Sequence, residues 1–544
     1  MSKPNKIERI KLSLSPVEFE KELAYLDYTN VSEEDRFYLK SYGIYNIKLR
    51  PDRYMIRIRI DGGNIDTKSL EYIANSAIRY NLDTILTARG EIELHNIKPD
   101  MVYEIYQKLK TANIETKQTL TDNFRAITTD PYADFSIDTL IEVEPIIKQI
   151  KTLFLGNGEW MGMLPRKFNT AIVGRVEPVV NHWGNDLVMM LSQKDNIYGF
   201  NIYAGGKNSE VAQDLNIFVE PKYAFDIFKA VADIYNTMGY RGSRSKTRLF
   251  YMIEDMGIDR FRDLIKAKVP NLQNKATLLV KSANPTPATP LKGGGMGVTI
   301  YTNYGLIEPK ELYRYSQLAQ EYSAVIRMGC DQNLHILLPK KYKNKITPDS
   351  TKRAFVVACA GSKYCPLSLW DIKSDLPKLP QKLIDIGTKI GFSGCLKGCG
   401  RHYHSDIGFI GLRTNLYADT EKAFRIYIGA IQTPVAKPAR LLYYAVPKRS
   451  ILGWLNSVAE DLISGGFENF EDYSKHIRNF KDEFMTLWYL IRGCYGYNKD
   501  LFELFLSKAK EESIINRAKE LYSDFPEGDI NNIARVLSHR LWDL

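Results

Sequence analysis

Cysteine is scarce in this sequence, with six in 544 residues. A chain of this length buries enough apolar surface to fold without disulfides, and so sparse a set excludes a small disulfide-rich secreted scaffold. Runs of about 18 or more apolar residues are also missing, which excludes a transmembrane helix by pattern. The segment Met1–Lys6 lacks the apolar stretch of a signal peptide. We therefore expect a cytoplasmic protein with no attachment to a membrane.

An excess of acidic residues is absent as well: 74 Lys and Arg stand against 64 Asp and Glu, giving a net charge of +10. This balance favours anionic partners, which include nucleic acid, acidic proteins and small anions. A nucleic-acid module bearing zinc or a cluster would place basic and aromatic residues together near its cysteines, and no such stretch is present, so we expect no nucleic-acid partner. Length predicts about three or four domains.

Four of the six cysteines form two close pairs, Cys359 with Cys365 and Cys395 with Cys399. Four thiolates from two such pairs can hold a tetrahedral zinc ion or a [4Fe–4S] cluster. Zinc sites use shorter gaps than the five residues of the first pair, so the spacing favours the cluster; zinc and unrelated buried thiols stay open as alternatives. Cys330 and Cys494 have no partner nearby and are predicted to be small core residues.

A strand–helix–strand pattern occurs twice, at an offset of 242 residues. The two copies share the sequence Gly-x-Ile-acid-x-Lys-x-Leu, which begins at Gly63 and at Gly305, and the same offset aligns Arg89 with Asp331. Apolar residues at helical spacing predict a helix over Thr67–Arg79. The repeat predicts a duplicated chain with pseudo-two-fold symmetry. Between the copies, the Pro- and Gly-rich residues 283–297 predict a linker.

The Cys-x5-Cys pair followed by Gly-Cys-x3-Cys-Gly, downstream of this repeat, resembles the assimilatory nitrite and sulfite reductases over about residues 35–475. Members of that family carry one sirohaem coupled to one [4Fe–4S] cluster. Further matches to family motifs are Thr87-Ala-Arg89, Asn123-Phe-Arg125, Arg166-Lys-Phe-Asn169 and Gly242-Ser-Arg-Ser-Lys-Thr-Arg248. Sirohaem carries eight carboxylates, so its pocket needs many Arg and Lys side chains.

The resemblance implies a mixed α/β (α+β) fold that is duplicated. Two ferredoxin-like half-domains would pair about a pseudo-two-fold axis, beside two α/β cofactor-binding domains and a helical C-terminal extension. The implied boundaries are 1–45 for an N-terminal arm, 46–128 for the first half-domain, 129–282 for the first sirohaem-binding α/β domain, 283–345 for a linker and the second half-domain, 346–475 for the [4Fe–4S]/sirohaem-binding α/β domain, and 476–544 for the extension.

The resemblance also implies a role for each matching residue. The cluster ligands would be Cys359, Cys365, Cys395 and Cys399, and Cys399 would also reach the sirohaem iron. The residues that bind the anion and assist its protonation would be Arg89, Arg125, Lys167 and Asn169. The residues that bind the macrocycle would be Arg166, Arg244, Lys246, Arg248, Gln332 and Asn333. The segment His402–His404 is expected to be a polar loop beside the last cysteine.

Asn169 bears on the choice of substrate. Sulfite-reducing relatives resemble Arg-Lys-x-Lys at this motif and nitrite-reducing relatives Arg-Lys-x-Asn, which is the pattern here. Sulfite can be a dianion and benefits from a fourth cation, so the sequence favours nitrite, with sulfite as the alternative. Three departures from the family pattern lie near the expected cofactors and leave redox tuning and substrate preference open: Leu396-Lys397 between the last two cysteines, Gly90 after Arg89, and Asp331 in the second repeat.

We expect a monomeric, ferredoxin-dependent nitrite or sulfite reductase. No dinucleotide fingerprint or flavin domain is recognisable, so electrons should come from a separate ferredoxin or flavodoxin, and such carriers are acidic. A sirohaem and iron–sulfur monooxygenase of the corrin pathway is a further alternative on the same scaffold. That relative would not need the full set of anion-binding cations, which is present here apart from Asn169.

Overall fold

The computed structural model describes residues 4–270, 272–415 and 420–479. The chain divides after Ser350 into two compact units. Cys494 and most of the predicted helical extension, from residue 480 onward, lie outside the described residues. The sequence pattern of that extension predicts helices at Asp482–Ile491, Lys499–Lys510 and Ile514–Tyr522. Within the described ranges, no helix combines the length and the apolar character that a membrane span requires.

The first unit opens with two capped helices, α1 (Lys6–Ser13) and α2 (Glu33–Ser41). The Asn5 side chain accepts hydrogen bonds from the first N–H groups of α1, and Ser32 and Asp35 form a reciprocal capping box at α2. The first half-domain follows, with β1 (Ile44–Ile47), β2 (Arg50–Ile58), β3 (Asn64–Ile65), α3 (Thr67–Arg79), β4 (Asp83–Leu86), β5 (Ile92–Ile97) and α4 (Val102–Thr111).

The helix predicted over Thr67–Arg79 is confirmed as α3, with the same bounds. Asp66 caps its first turn by accepting a hydrogen bond from the Ser69 N–H at 2.9 Å. The buried face of this helix consists of Leu70, Ile73, Ala74 and Ala77. These positions recur every three or four residues, so a single apolar stripe packs into the hydrophobic core of the half-domains.

An α/β domain comes next in the first unit. It comprises α5 (Glu144–Phe154), β6 (Thr170–Val173), β7 (Leu187–Lys194), β8 (Ile197–Ala204), β9 (Gln213–Val219), α6 (Ala224–Met238), α7 (Leu249–Met256), α8 (Ile258–Lys268) and β10 (Thr277–Leu278). β6 runs parallel to β7, and β7, β8 and β9 are antiparallel neighbours. Phe124 forms a parallel bridge to Phe168, and Thr128 forms one to Ala171. The segment 124–128 therefore runs along β6 and extends this sheet.

The second half-domain contains β11 (Ala288–Pro290), β12 (Met296–Ile300), β13 (Leu306–Ile307), α9 (Pro309–Glu321), β14 (Val325–Met328) and β15 (Leu334–Leu338). The bounds of α9 and β14 equal those of α3 and β4 shifted by 242 residues, so the predicted duplication is confirmed. The segment 283–297, predicted as a linker, instead contributes β11. Because β11 is an edge strand, its one proline, Pro290, does not interrupt the ladder.

The two half-domains exchange a short strand with each other. β3 of the first half pairs with β14 of the second, and β13 of the second pairs with β4 of the first. The registers are symmetric, because Asn64 lies opposite Arg327 and Leu306 lies opposite Ile85. Buried side chains of both halves form one hydrophobic core. Each half therefore completes the sheet of the other, which gives the pairing about a pseudo-two-fold axis.

The second unit repeats the α/β topology. It contains β16 (Phe355–Ala358), α10 (Gln381–Asp385), β17 (Lys389–Ser393), β18 (Ile407–Thr414), β19 (Glu421–Ile428), β20 (Arg440–Pro447), α11 (Ile451–Ser464) and α12 (Phe470–Ile477). β16, β17 and β18 are parallel, and β18, β19 and β20 are antiparallel. A parallel pair followed by two antiparallel neighbours matches β6 to β9 of the first unit. The expected duplicated mixed α/β architecture is confirmed.

Candidate active site

The two cysteine pairs begin where two neighbouring parallel strands end. Cys359 directly follows β16, and Cys395 lies two residues beyond β17. The Cys359 N–H donates to the Phe392 carbonyl at 2.9 Å, and the Gly394 N–H donates to the Cys359 Sγ at 3.2 Å. Parallel strands place their carboxyl ends at one edge of a sheet. The fold therefore brings the starts of two distant sequence motifs together.

Tight turns hold the second cysteine of each pair. The Cys365 N–H donates to the Gly361 carbonyl at 2.8 Å, and the Gly398 N–H to the Cys395 carbonyl at 3.4 Å. At Gly394 the backbone passes so close to Ser368 that an added Cβ would lie 2.0 Å from its Oγ. Only glycine permits this approach, which explains the glycine beside the second pair.

The chemistry of the four thiols fits a metal cluster. Cys359, Cys365 and Cys395 are half-buried and Cys399 is exposed. Burial, and after it the charge of Cys399, raises the pKa of the Cys359 thiol to about 12. If Cys359 and Cys399 were both thiolates, they would need positive charge beside them, which iron would supply. The N–H donated to the Cys359 Sγ is the kind of contact that tunes an iron–sulfur cluster.

Among the described residues, no three His, Cys, Asp or Glu side chains converge as ligands of one metal ion. A four-iron cluster does not require such convergence, because each thiolate binds a different iron. The expected polar loop at His402–His404 is wrong: both imidazoles are buried in a short 3-10 turn. His402 Nδ1 lies 2.9 Å from the Ser393 Oγ, and burial lowers the pKa of His402 to about 3. Tilted ring contacts of His402 with Tyr403 and Tyr427 explain why this turn faces inward.

In the first unit, the four residues proposed to bind the anion belong to segments that hydrogen-bond to each other. The Arg125 N–H donates to the Phe168 carbonyl at 2.9 Å, which places Arg125 beside Lys167 and Asn169 in the neighbouring segment. Arg89, from the turn between β4 and β5, donates through Nη2 to the Ala126 carbonyl at 2.6 Å. Its Nη1 donates to the Asn185 Oδ1 at 3.2 Å.

The region around Arg89 and Arg125 is strongly electropositive. Burial, followed by the charge of Arg57, lowers the pKa of Arg125 well below its ordinary value. The charges of Arg89 and Arg166 also lower the pKa of Arg125, whereas the charge of Glu91 raises it. Asn169 is buried, and its Oδ1 has no hydrogen-bond partner among the described residues. Crowded cations and a buried amide oxygen without a partner are features that a bound polar ligand would satisfy.

A second group of cations surrounds Asp122, whose side chain is fully buried. The carboxylate contacts Lys11 at 2.9 Å, Arg166 at 3.3 Å and Arg244 at 2.5 Å. Burial alone would raise the pKa of Asp122, but Lys11, Arg244 and Arg166 hold it at about 2. Asp122, with Glu8 beside Lys11, supplies two carboxylates against three cations, so the group keeps a net positive charge. Such a site fits the carboxylates of a macrocycle.

Lys11 is expected to be essential to this group. Its Nζ is buried and contacts Glu8 at 2.7 Å, Asp122 at 2.9 Å and the Leu164 carbonyl at 2.6 Å. Lys11→Met should lower the free energy of unfolding by about 3–5 kcal/mol, because it leaves buried carboxylates with fewer partners. Urea unfolding measures this loss.

Lys6→Met in the same helix is the matched control, since the ion pair of Lys6 with Glu33 is exposed on both sides. That pair should contribute less than about 1 kcal/mol. Equal losses of unfolding free energy in the two variants would show that the buried ion pairs of Lys11 do not stabilise the fold more than an exposed pair does.

The remaining predicted residues differ in their surroundings. Arg248 binds the buried Asp186 through Nε at 3.0 Å and Nη2 at 2.8 Å, and the same carboxylate accepts the Asn169 N–H at 2.8 Å. Lys246 is exposed. In the second half-domain, Gln332 donates to the Leu86 carbonyl at 3.1 Å, and Asn333 donates to Asp331 at 2.8 Å. The carboxamides of Gln332 and Asn333 thus form hydrogen bonds within the half-domains. Their role in binding a cofactor stays a prediction.

The sequence does not mark three residues of this unit as candidate site residues: Lys11, Lys40 and Glu91. Burial, followed by the charges of Arg166 and Arg244, lowers the pKa of Lys40, so Lys40 adds to the cations around Asp122. Lys11 and Lys40 lie on the N-terminal helices α1 and α2, outside every family motif. Their only trace in the sequence is a basic residue within a helix, which is usually a solvated charge.

Comparisons with known proteins agree with this geometry. Residues 47–112 match the nitrite/sulfite reductase ferredoxin-like half domain, and residues 120–272 match the nitrite and sulphite reductase 4Fe-4S domain. The segment 120–272 contains no cysteine. The four paired cysteines lie instead in the second unit, whose strands repeat this topology.

Two curated relatives illustrate the similarity. A ferredoxin–nitrite reductase of Synechococcus elongatus is 27% identical over 467 residues, covering 78% of this chain and 90% of the relative. A ferredoxin sulfite reductase of Mycolicibacterium paratuberculosis is 27% identical over 425 residues, covering 70% and 74%. The structure of the Mycobacterium tuberculosis NirA protein matches with a TM-score of 0.79 at 20% identity, covering 89% of this chain and 98% of that one. Two matched domain models, relatives aligned over most of the chain and the same fold all point to the nitrite and sulfite reductase family of oxidoreductases.

Proposed function

We propose that the protein reduces nitrite to ammonia with six electrons, at a sirohaem coupled through Cys399 to a [4Fe–4S] cluster. The observation that carries the proposal is the meeting of the two cysteine pairs at the carboxyl ends of β16 and β17. The cluster would be held by Cys359, Cys365, Cys395 and Cys399. The metal centres supply the multi-electron chemistry, which no side chain can perform.

The side chains of the first unit would bind the substrate and the macrocycle. Arg89 and Arg125 would bind the nitrite anion, held in place by their hydrogen bonds to the Ala126 and Thr121 carbonyls. Guanidinium groups stay protonated, so they stabilise negative charge but do not donate protons. Lys167 would donate a proton from its ammonium group. Arg166, Arg244, Lys246 and Arg248 would bind macrocycle carboxylates.

Ferredoxin or flavodoxin would supply the electrons. Two observations support a small acidic carrier: the curated relatives described above are named as ferredoxin enzymes, and this chain carries a net charge of +10. Attraction between a basic reductase and an acidic carrier speeds their association and weakens as salt is added.

Nitrite is favoured over sulfite by Asn169. A neutral amide at this position leaves the site with three cations around the anion, which suits a small monoanion. Sulfite is the second candidate, because a sulfite reductase is among the relatives at the same 27% identity. Turnover of the purified holoenzyme with reduced viologen, measured separately with nitrite and with sulfite, ranks the two substrates. A rate with sulfite above the rate with nitrite would contradict the proposal.

Asn169→Lys should raise the ratio of sulfite to nitrite turnover by about tenfold, because a single added cation stabilises a dianion more than a monoanion. Asn169→Gln is the matched control: it lengthens the side chain without adding charge and should leave the ratio unchanged. Both ratios are measured in the viologen assay. An unaltered ratio in Asn169→Lys would show that residue 169 does not select the substrate.

A further inference from the structure

Glu91 is a buried carboxyl group that the proposed mechanism does not use. It lies in the turn between β4 and β5, two residues after Arg89, and it is completely buried. Neither carboxyl oxygen has a hydrogen-bond partner among the described residues. Among the described residues the closest cation is Arg57, whose Nη1 lies 3.8 Å from the Glu91 Oε2. A buried ionised carboxylate without hydrogen bonds is costly, so this group needs an explanation.

Four arginines face Glu91 from three elements, and their closest contacts are with other groups. Arg57 lies in β2, Arg59 directly follows that strand, Arg89 lies in the β4–β5 turn and Arg125 in the segment after α4. Arg57 binds Glu93 through Nε at 2.9 Å, and Arg59 binds Asp61 at 2.8 Å. Arg57 and Arg125 both donate to the Thr119 carbonyl. Glu91 is thus surrounded by positive charge without a close ion pair of its own.

The duplication shows that the fold does not require an acid here. The 242-residue offset places Asn333 at the equivalent position of the second half-domain. The Asn333 amide donates to Asp331 at 2.8 Å and accepts the Thr302 N–H at 3.1 Å. The same backbone position therefore carries a hydrogen-bonded amide in one half, and in the half that contains Arg89 an acid whose carboxyl oxygens have no hydrogen-bond partner among the described residues.

Burial favours the neutral form of such a group. Burial raises the pKa of Glu91, while Arg57, Arg89, Arg125 and Arg59 pull it down. An anion bound beside Arg89 and Arg125 would offset part of the positive charge around the carboxyl. Its arrival would therefore favour the protonated acid further, and by linkage protonation would favour the anion.

We propose that Glu91 couples anion binding to proton uptake: it is neutral when the anion is bound, and its ionisation weakens anion binding at Arg89 and Arg125. Glu91 acts through these arginines and is a positioning residue. The proton comes from solvent and returns to solvent when the anion leaves. The inference rests on the proposed function, since it takes Arg89 and Arg125 as the residues that bind nitrite.

The test is nitrite binding to the oxidised holoenzyme without reductant, followed by absorption as the pH is raised. In the wild type the affinity should fall by about tenfold as Glu91 ionises, because a negative charge appears next to the anion site. Glu91→Gln keeps the shape and is always neutral, so its affinity should stay level. Glu91→Asp keeps a titrating acid and should restore the fall.

Glu93→Gln is the matched control, since Glu93 is a buried carboxylate two residues away that is ionised and bound to Arg57 and His95. This variant should keep the pH dependence of the wild type. Calorimetry of nitrite binding in two buffers of different ionisation enthalpy gives a second measurement on the wild type, with net proton uptake expected. A wild-type affinity that does not change with pH, the same fall in Glu91→Gln, or binding without proton uptake would overturn the inference.

Failure of the proposed function would look different. If the wild-type holoenzyme bound no nitrite at any pH, the assignment of the substrate would fall together with the inference. If the wild type reduced nitrite, and the nitrite affinity of Glu91→Gln fell with pH as it does in the wild type, only the role of Glu91 would be refuted.

Discussion

Cys399→Ser should remove both the cluster and the sirohaem from the purified protein. Serine is a poor ligand for iron, and the proposal assigns this sulfur to both metal centres, so one substitution should release both. Cys399 is also the most exposed of the four cysteines, which leaves an unliganded cluster edge open to solvent. The measurements are the visible absorption spectrum and the iron and acid-labile sulfide content.

Cys330→Ser is the matched control for this change. Cys330 is a buried thiol of the first unit, as the sequence predicts for a cysteine without a neighbouring pair. This variant should lose some stability and keep both cofactors. Retention of both cofactors with a wild-type spectrum in Cys399→Ser would show that the ligand assignment is wrong.

Gly63→Ala should strongly destabilise the first unit. Gly63 has a φ of +69° and precedes the exchanged strand β3, and an added Cβ would lie 2.2 Å from the Met328 carbonyl oxygen. The other half-domain supplies Met328, so the two backbones would have to separate. We expect a loss of about 3 kcal/mol or more in the free energy of unfolding, from steric overlap added to backbone strain.

Gly156→Ala isolates the clash from the strain. Gly156 has a φ of +70°, and apart from its chain neighbours no atom of the described residues lies within 4 Å of an added Cβ. This variant should lose only about 1 kcal/mol, the cost of a left-handed conformation. Urea unfolding followed by circular dichroism compares the two. Equal losses would mean that the close approach of the exchanged strands does not limit the stability of the fold.

The duplication and the cysteine pairs could be predicted because both are local patterns. Gly63 and Gly305 begin the same eight-residue motif, and the α3 stripe has a period that depends only on nearby residues. The spacing within each cysteine pair is likewise contained in a few residues. In each case the physical cause lies within one short stretch of chain, so the sequence alone displays it.

Other features arise only when distant segments meet. The reciprocal exchange of β3 and β13 depends on pairing across more than 200 residues. Lys11 is buried in an ion pair because the fold brings Asp122 beside it. The Glu91 carboxyl lacks hydrogen bonds within the described part of the chain because Arg57 and Arg125 donate theirs to other groups. The prediction for His402–His404 failed for the same reason, since Ser393 and Tyr427 draw a polar segment into the interior.

The measurement that tests the central proposal most directly is the stoichiometry of nitrite reduction by the purified protein with a chemically reduced ferredoxin. We predict a sirohaem absorption spectrum, one ammonia formed for each nitrite consumed, and six electrons drawn from the donor for each ammonia. A protein without sirohaem absorption, or one that consumes no nitrite under these conditions, would contradict the account.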